Sequence, residues 1–232
     1  MAQERCRASV PAECRRHGSF HRKLKKFVKN DINEWYEPRQ ENQNRSIRKV
    51  RANRNEVIGI VASGDGKYQL QFLAEKPLSG GGTMQERTSL TVEARSAERV
   101  PKAIADRIHD PATSDKAKEQ YEAILKNLEG KNIQTLIKRH EAQEQALTSN
   151  PHVDTKSWLL EPASVHTIHQ YGTLIDGMDL KEEQKAIALN RSLVRNEGYM
   201  DAGYSTNNHY VEQVAELWNI HVNYKKALAK IK

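Results

Sequence analysis

The sequence predicts an α+β fold: a basic N-terminal helix and arm, a small antiparallel three-stranded meander, then a mostly helical C-terminal bundle. Three observations predict it. Between Glu56 and Ser96, apolar residues alternate with polar ones around two glycine-containing breaks, the pattern of half-buried strands and tight turns. From residue 97 onward they recur at spacings of three and four, which places them on one side of a helix. Before residue 56, Arg, Lys, Asn and Gln prevail over apolar residues. The chain therefore reads as a basic module and arm at 1–55 and an α+β body at 56–232, with the meander at 56–96 and the helical region at 97–232.

Taken in order, SFHRKLKKFVKNDINEWY (19–36) places Phe20, Leu24, Phe27, Val28, Ile32 and Trp35 at helical spacing. Arg22, Lys23, Lys25, Lys26 and Lys29 fall largely on the other face, so the helix is amphipathic and basic on its outer side. The next stretch, 37–56, is rich in Arg, Asn and Gln and has almost no apolar content; it reads as an arm able to follow phosphates or enter a minor groove. Asp65-Gly66 marks the first hairpin turn and Gly80-Gly81-Gly82 a looser second one. Tyr68, Leu70 and Phe72 alternate with Gln69, Gln71 and Leu73, giving the sheet one apolar face for helices to cover.

In the helical region, 116–130 puts Tyr121, Ile124, Leu125 and Leu128 on one stripe and ends at Gly130. Residues 132–147 align Ile133, Leu136, Ile137 and His140, and the histidine is expected to be a satisfied, half-buried member of that stripe. SNPH (149–152) is a loop, and the stretch from there to Gly177 carries no decisive pattern. Asp179, with Glu182 three residues on, has the form of a capping box for a helix that Gly198 closes. A last helix from about Asn208 turns Val211, Val214, Leu217, Trp218, His221 and Val222 inward.

The 232 residues carry a net charge of +7, and its distribution is uneven. Residues 1–55 hold 15 Lys/Arg against 6 Asp/Glu, whereas 56–232 hold 22 against 24. Basic character thus belongs to one end, a common form of nucleic-acid attachment because each cation that neutralises a phosphate releases condensed counterions. A solvated basic tail is the alternative. No apolar run reaches the roughly 20 residues of a membrane span, and no secretory signal pattern opens the chain. Two cysteines, at positions 6 and 14, form no disulfide framework, so a cytoplasmic protein without a membrane partner is expected.

Both cysteines lie in CRASVPAECRRHGSFHRKLKK (6–26). Cys6, Cys14, His17 and His21 offer two thiolates and two imidazoles, the donors tetrahedral zinc prefers, though seven residues between the cysteines exceed the usual two to four. A tail without metal is the alternative. Within this stretch Cys6-Arg7-Ala8, Pro11, Cys14, His17 and Gly18 form the pattern CRAxxPxxCxxHG. It resembles a short N-terminal motif found on assorted actinobacterial and actinophage proteins. The resemblance implies a detachable N-terminal module of actinobacterial or phage origin, and implies nothing about the rest of the chain.

Other candidate sites are weaker. Gly64-Asp65-Gly66-Lys67 departs from a phosphate loop, since Val61 stands where a glycine is needed and Tyr68 where a Ser or Thr is needed. His166 and His169 are three apart, but neither His152 nor Asp154 nearby is specified as a third ligand, and a pair of surface histidines reads the same way. RNEGYMDAGYSTNNHY (195–210) is longer than a helix connection requires. Its Tyr199, Asp201, Tyr204 and His209 are the residues to examine for a substrate pocket, a turn with an N-cap being the simpler account. No nucleophile elbow is present and both cysteines sit in the basic tail, so no Ser-His-Asp or Cys-His catalytic constellation can be argued and whether the protein is an enzyme stays open.

Three functions follow. The first is a nucleic-acid-binding accessory protein, on DNA or RNA, whose phosphate contacts are Arg15, Arg16, Lys23, Lys25, Lys26, Arg48, Lys49, Arg51 and Arg54. The second is a small effector-type enzyme with its pocket around 195–210. The third is an inhibitor or interaction protein whose basic charge meets an acidic protein partner.

Overall fold

In the computed structural model of the chain the described residues are 19–26, 56–77, 83–148, 162–199 and 207–231. The fold is α+β and mostly helical, as expected. Its elements are a helical segment 19–26 (α1), strands β1 (Glu56–Ser63), β2 (Lys67–Pro77) and β3 (Thr83–Glu93), and helices α2 (Val100–Ile108), α3 (Asp115–Leu128), α4 (Ile133–Thr148), α5 (Pro162–Asp176), α6 (Glu182–Glu197) and α7 (Asn207–Leu228). The chain divides into two units, each formed by two stretches. One comprises Met1–Lys49 with Gln170–His221, the other Val50–His169 with Val222–Lys232.

The second of these holds the sheet, an antiparallel meander in the order β1-β2-β3. The hairpin between β1 and β2 is tight: Asp65 and Gly66 have φ of 52° and 73°, and Lys67 N–H donates to the Gly64 carbonyl at 3.1 Å. Positive φ at both central positions is the type I′ turn that matches strand twist. Gly66 has a second reason to be glycine, because a Cβ there would lie 2.9 Å from the Ala94 carbonyl oxygen. Gly66→Ala is expected to cost about 1–2 kcal/mol, measured by urea denaturation; Gly64→Ala, with nothing within 4 Å of its Cβ position, is expected to cost less.

Alternation puts Leu70 and Phe72 of β2 on one face, with Leu90 and Val92 of β3 beside them. In β1, however, Val57 and Ile60 share that face although they are three residues apart. A shift in register between Val57 and Gly59 accounts for it: Val57 pairs with Phe72 and Gly59 with Gln71, so Ile58 is the extra residue of a bulge. Val100, Ile104, Ile124, Leu128, Ile133 and Leu136 from α2, α3 and α4 close the core over this face. The opposite face begins with Ile58 and Leu73, a small apolar pair, and continues into polar residues such as Gln69, which donates to Ser89 Oγ at 3.1 Å.

Local chemistry explains the helix ends. Ser114 Oγ accepts from Ala117 N–H and Gly130 adopts φ +70° just past α3. Asn132 Oδ1 accepts from Gln134 N–H at the start of α4. The capping box foreseen at Asp179 and Glu182 does not form: the N-cap of α6 is Lys181, two residues further on, whose N–H donates to Gln184 Oε1 at 3.0 Å while its ammonium, a donor only, cannot complete the pair. Glu182 Oε1 instead accepts from the indole of Trp218 at 3.3 Å. Gly198, at φ +68°, ends α6 as expected, and the following N–H of Tyr199 reaches back to the Leu193 carbonyl.

In the other unit, α6 buries Ala186, Ile187, Ala188, Leu189 and Leu193. α7 was expected to present a single inward stripe. Within this unit it is instead buried on nearly every side between Tyr210 and His221, Gln213 and Glu216 included. Among the described residues no helix is long and apolar enough to cross a membrane.

Candidate nucleic-acid interface

α1 carries the part of the basic module that the structure describes. Leu24 is fully buried, Phe20 and His21 are half-buried, and Arg22, Lys23, Lys25 and Lys26 are exposed. Lys23 and Lys26 are three residues apart, and Arg22 precedes Lys25 and Lys26 by three and four, so these side chains are neighbours on the helix surface. Like charges at that spacing destabilise a helix by a few tenths of a kcal/mol per pair. Anchoring through Leu24 offsets that repulsion, and a bound anion would relieve it.

Of the other expected phosphate contacts, Arg15, Arg16, Arg48, Lys49, Arg51 and Arg54 lie outside the described residues, as do Cys6, Cys14 and His17 of the zinc set. His21, the fourth member of that set, sits in α1. Among the described residues no group of three or more His, Cys, Asp or Glu is placed to hold a metal. In the 195–210 segment Asp201 and Tyr204 lie outside the described residues, Tyr199 is half-buried, and His209 falls in the first turn of α7.

His166 and His169 go to different neighbours. The ring of His169 meets Tyr224 edge-on, centroids 5.0 Å apart. His166 Nε2 lies 4.0 Å from Glu56 Oε1. Burial holds the His166 imidazole below its usual value of 6.5; Glu56 opposes this and Arg139 and Lys131 add to it. His140, on the apolar stripe as foreseen, is buried, with Nε2 3.3 Å from Glu144 Oε1. Its Nδ1 has no hydrogen-bond partner among the described residues.

Two buried polar arrangements were not anticipated. In the sheet unit, Gln143 is fully buried and its amide donates to the Ile58 carbonyl at 3.1 Å and to Tyr224 Oη at 3.4 Å. Burial raises the Tyr224 phenol above its usual value. The available signal was Gln143 itself, a polar residue in register with His140 on an otherwise apolar stripe. In the other unit, His221 is fully buried, with Nε2 3.1 Å from Asp176 Oδ2. Trp218 lies against its ring at 5.2 Å, and Tyr171 donates to Glu197 at 2.7 Å nearby in the same unit. Asp176 and His221 are 45 residues apart, and no local pattern links them.

Compared with protein-family models, with curated proteins and with solved structures, the chain matches none.

Proposed function

We propose that this chain is a nucleic-acid-binding accessory protein that attaches to backbone phosphates through its basic N-terminal region. The observation that carries the reading is α1: Leu24 is fully buried while Arg22, Lys23, Lys25 and Lys26 stay exposed. These cations are mounted on a helix anchored by its apolar side, so their spacing is fixed before a ligand arrives and little side-chain freedom remains to be lost beyond the lysine rotamers. Because Leu24 is already buried in the fold, what α1 offers a partner is charge. The surplus of cations over the first 55 residues supports the same reading, and phosphate contacts of this kind fix position without reading sequence.

Fluorescence anisotropy tests it, using the full chain with labelled duplex DNA, single-stranded DNA and RNA across a salt series from about 50 to 200 mM. Wild type is expected to bind with a steep salt slope. Lys23→Glu/Lys25→Glu/Lys26→Glu, three exposed changes with little expected effect on stability, is expected to flatten that slope by about 0.9 for each lysine that touches a phosphate. No binding at the lowest salt, or a triple variant that binds as wild type does, would refute the proposal.

A further inference from the structure

α5 is held on the sheet unit by a mixed set of contacts over its first two turns. Val165 and Ile168 are fully buried, Ser164 Oγ accepts from Arg87 of β3 at 2.6 Å, and His169 meets the ring of Tyr224 on α7. His166 stands among them. Its side chain retains 18% exposure, and its Nε2 is buried with no hydrogen-bond partner among the described residues. The Glu56 carboxylate of β1 is the facing acid, at 4.0 Å, beyond hydrogen-bonding range. Arg139 of α4 and Lys131, just before that helix, are the cations that act on the ring.

A neutral imidazole is tolerated there, because it brings no charge to a desolvated position. An imidazolium would add a cation to a site already under the field of two, with one carboxylate to oppose them and no hydrogen bond in place. We infer that His166 is a proton-sensitive latch: neutral, it lets the first two turns of α5 stay seated beside Glu56 of β1 and Arg87 of β3, and protonated, it releases them.

The direction of the pH dependence follows from the ring's surroundings. The folded-state value lies below 6.5, so as pH falls the released state takes up a proton before the latched state does. Latching is fully present above 6.5 and weakens as pH falls from there toward the folded-state value. Each pH unit in that window changes the latched-to-released ratio by up to about tenfold.

Hydrogen exchange by mass spectrometry on the full chain reads this directly, at about pH 7.5 and about pH 5.5 with rates corrected for intrinsic exchange, a range that spans histidine titration. Peptides from the first half of α5 are expected to lose protection selectively at the lower pH, by up to about tenfold per pH unit below 6.5, while α3 peptides do not. His166→Gln, which cannot take up the proton, is expected to hold its α5 protection constant, and His140→Gln is expected to respond as wild type does. Unchanged or increased α5 protection in wild type at low pH, the result expected if imidazolium simply pairs with Glu56, overturns the latch. So does an acid response in His166→Gln equal to that of wild type; should that variant fail to fold, the comparison of α5 with α3 in wild type still decides.

Discussion

Gly172→Ala is expected to destabilise the protein by about 3 kcal/mol, at the upper end of what overpacking usually costs. A Cβ at this position would sit 2.6 Å from Cε1 of His221 and closer still to its Nδ1 and Cγ. The ring has little room to yield, being fully buried, paired with Asp176 on one side and laid against Trp218 on another. Moving it would cost the pair, and moving α5 would disturb Tyr171 and Ile175, both fully buried on the same helix. His221→Ala removes the obstacle at its own expense, since it leaves a cavity and takes the imidazole away from the Asp176 carboxylate. The double variant should therefore be less destabilised than the two single changes predict by at least about 1 kcal/mol, as expected for residues in contact. Chemical denaturation of the four proteins measures it. Strict additivity would show that the helices adjust to the methyl group in some other way.

Gln143→Glu is nearly isosteric and is expected to cost about 3 kcal/mol at neutral pH, comparable to burying an unpaired charge. The amide nitrogen that donates to the Ile58 carbonyl and to Tyr224 is replaced by an oxygen, so a carboxylate would face a carbonyl in a position with no solvent exposure. Protonation removes the conflict. Because burial raises the folded-state value of such a carboxyl above its unfolded value of about 4.3, the variant's stability is complete below that value and lost as pH rises through the folded-state value. The difference from wild type should accordingly shrink on acidification toward about pH 4. Gln143→Met, which loses the hydrogen bonds but brings no charge, is expected to cost only about 1 kcal/mol and to show no such recovery. Equal losses in the two variants at every pH would mean that volume, and not polarity, decides at this position.

How much of this could be read from residues alone depends on how local the cause was. The meander was legible because Asp65-Gly66 specify a turn and Tyr68, Leu70 and Phe72 alternate over it; both are properties of adjacent residues. The bulge at Ile58 was not, since it exists to bring Val57 and Ile60 onto one face, and it is stabilised by side chains from α3 and α4. α5 left no decisive pattern, although Val165, Ile168, Tyr171 and Ile175 are spaced for a helix and all are fully buried; Gly172, a poor helix residue in isolation, is explained only by the ring packed against it. The capping box expected at Asp179 was misread because Glu182, its second member, instead accepts from a tryptophan 36 residues away. At the candidate interface the division of α1 into a buried Leu24 and exposed Lys23, Lys25 and Lys26 was present in its periodicity. The burial of α7 on nearly every side was not, because its Gln213 and Glu216 read as outward residues by type.

β1 forms one edge of the sheet, and its sequence EVIGIVAS combines β-branched residues with low charge, the composition that stacks readily into intermolecular β-structure. Yet two backbone groups along this strand are already engaged: Val57 N–H donates to Asn127 Oδ1 at 3.2 Å, and the Ile58 carbonyl accepts from Gln143. Two amide side chains thus do for this strand what a further strand would otherwise do, and the bulge bends the flat template that an incoming chain would need. Resistance to aggregation on mild heating should then track the hold of α3 and α4 on β1 more closely than it tracks global stability. A variant that loosens those helices would expose a self-templating segment while most of the protein is still native.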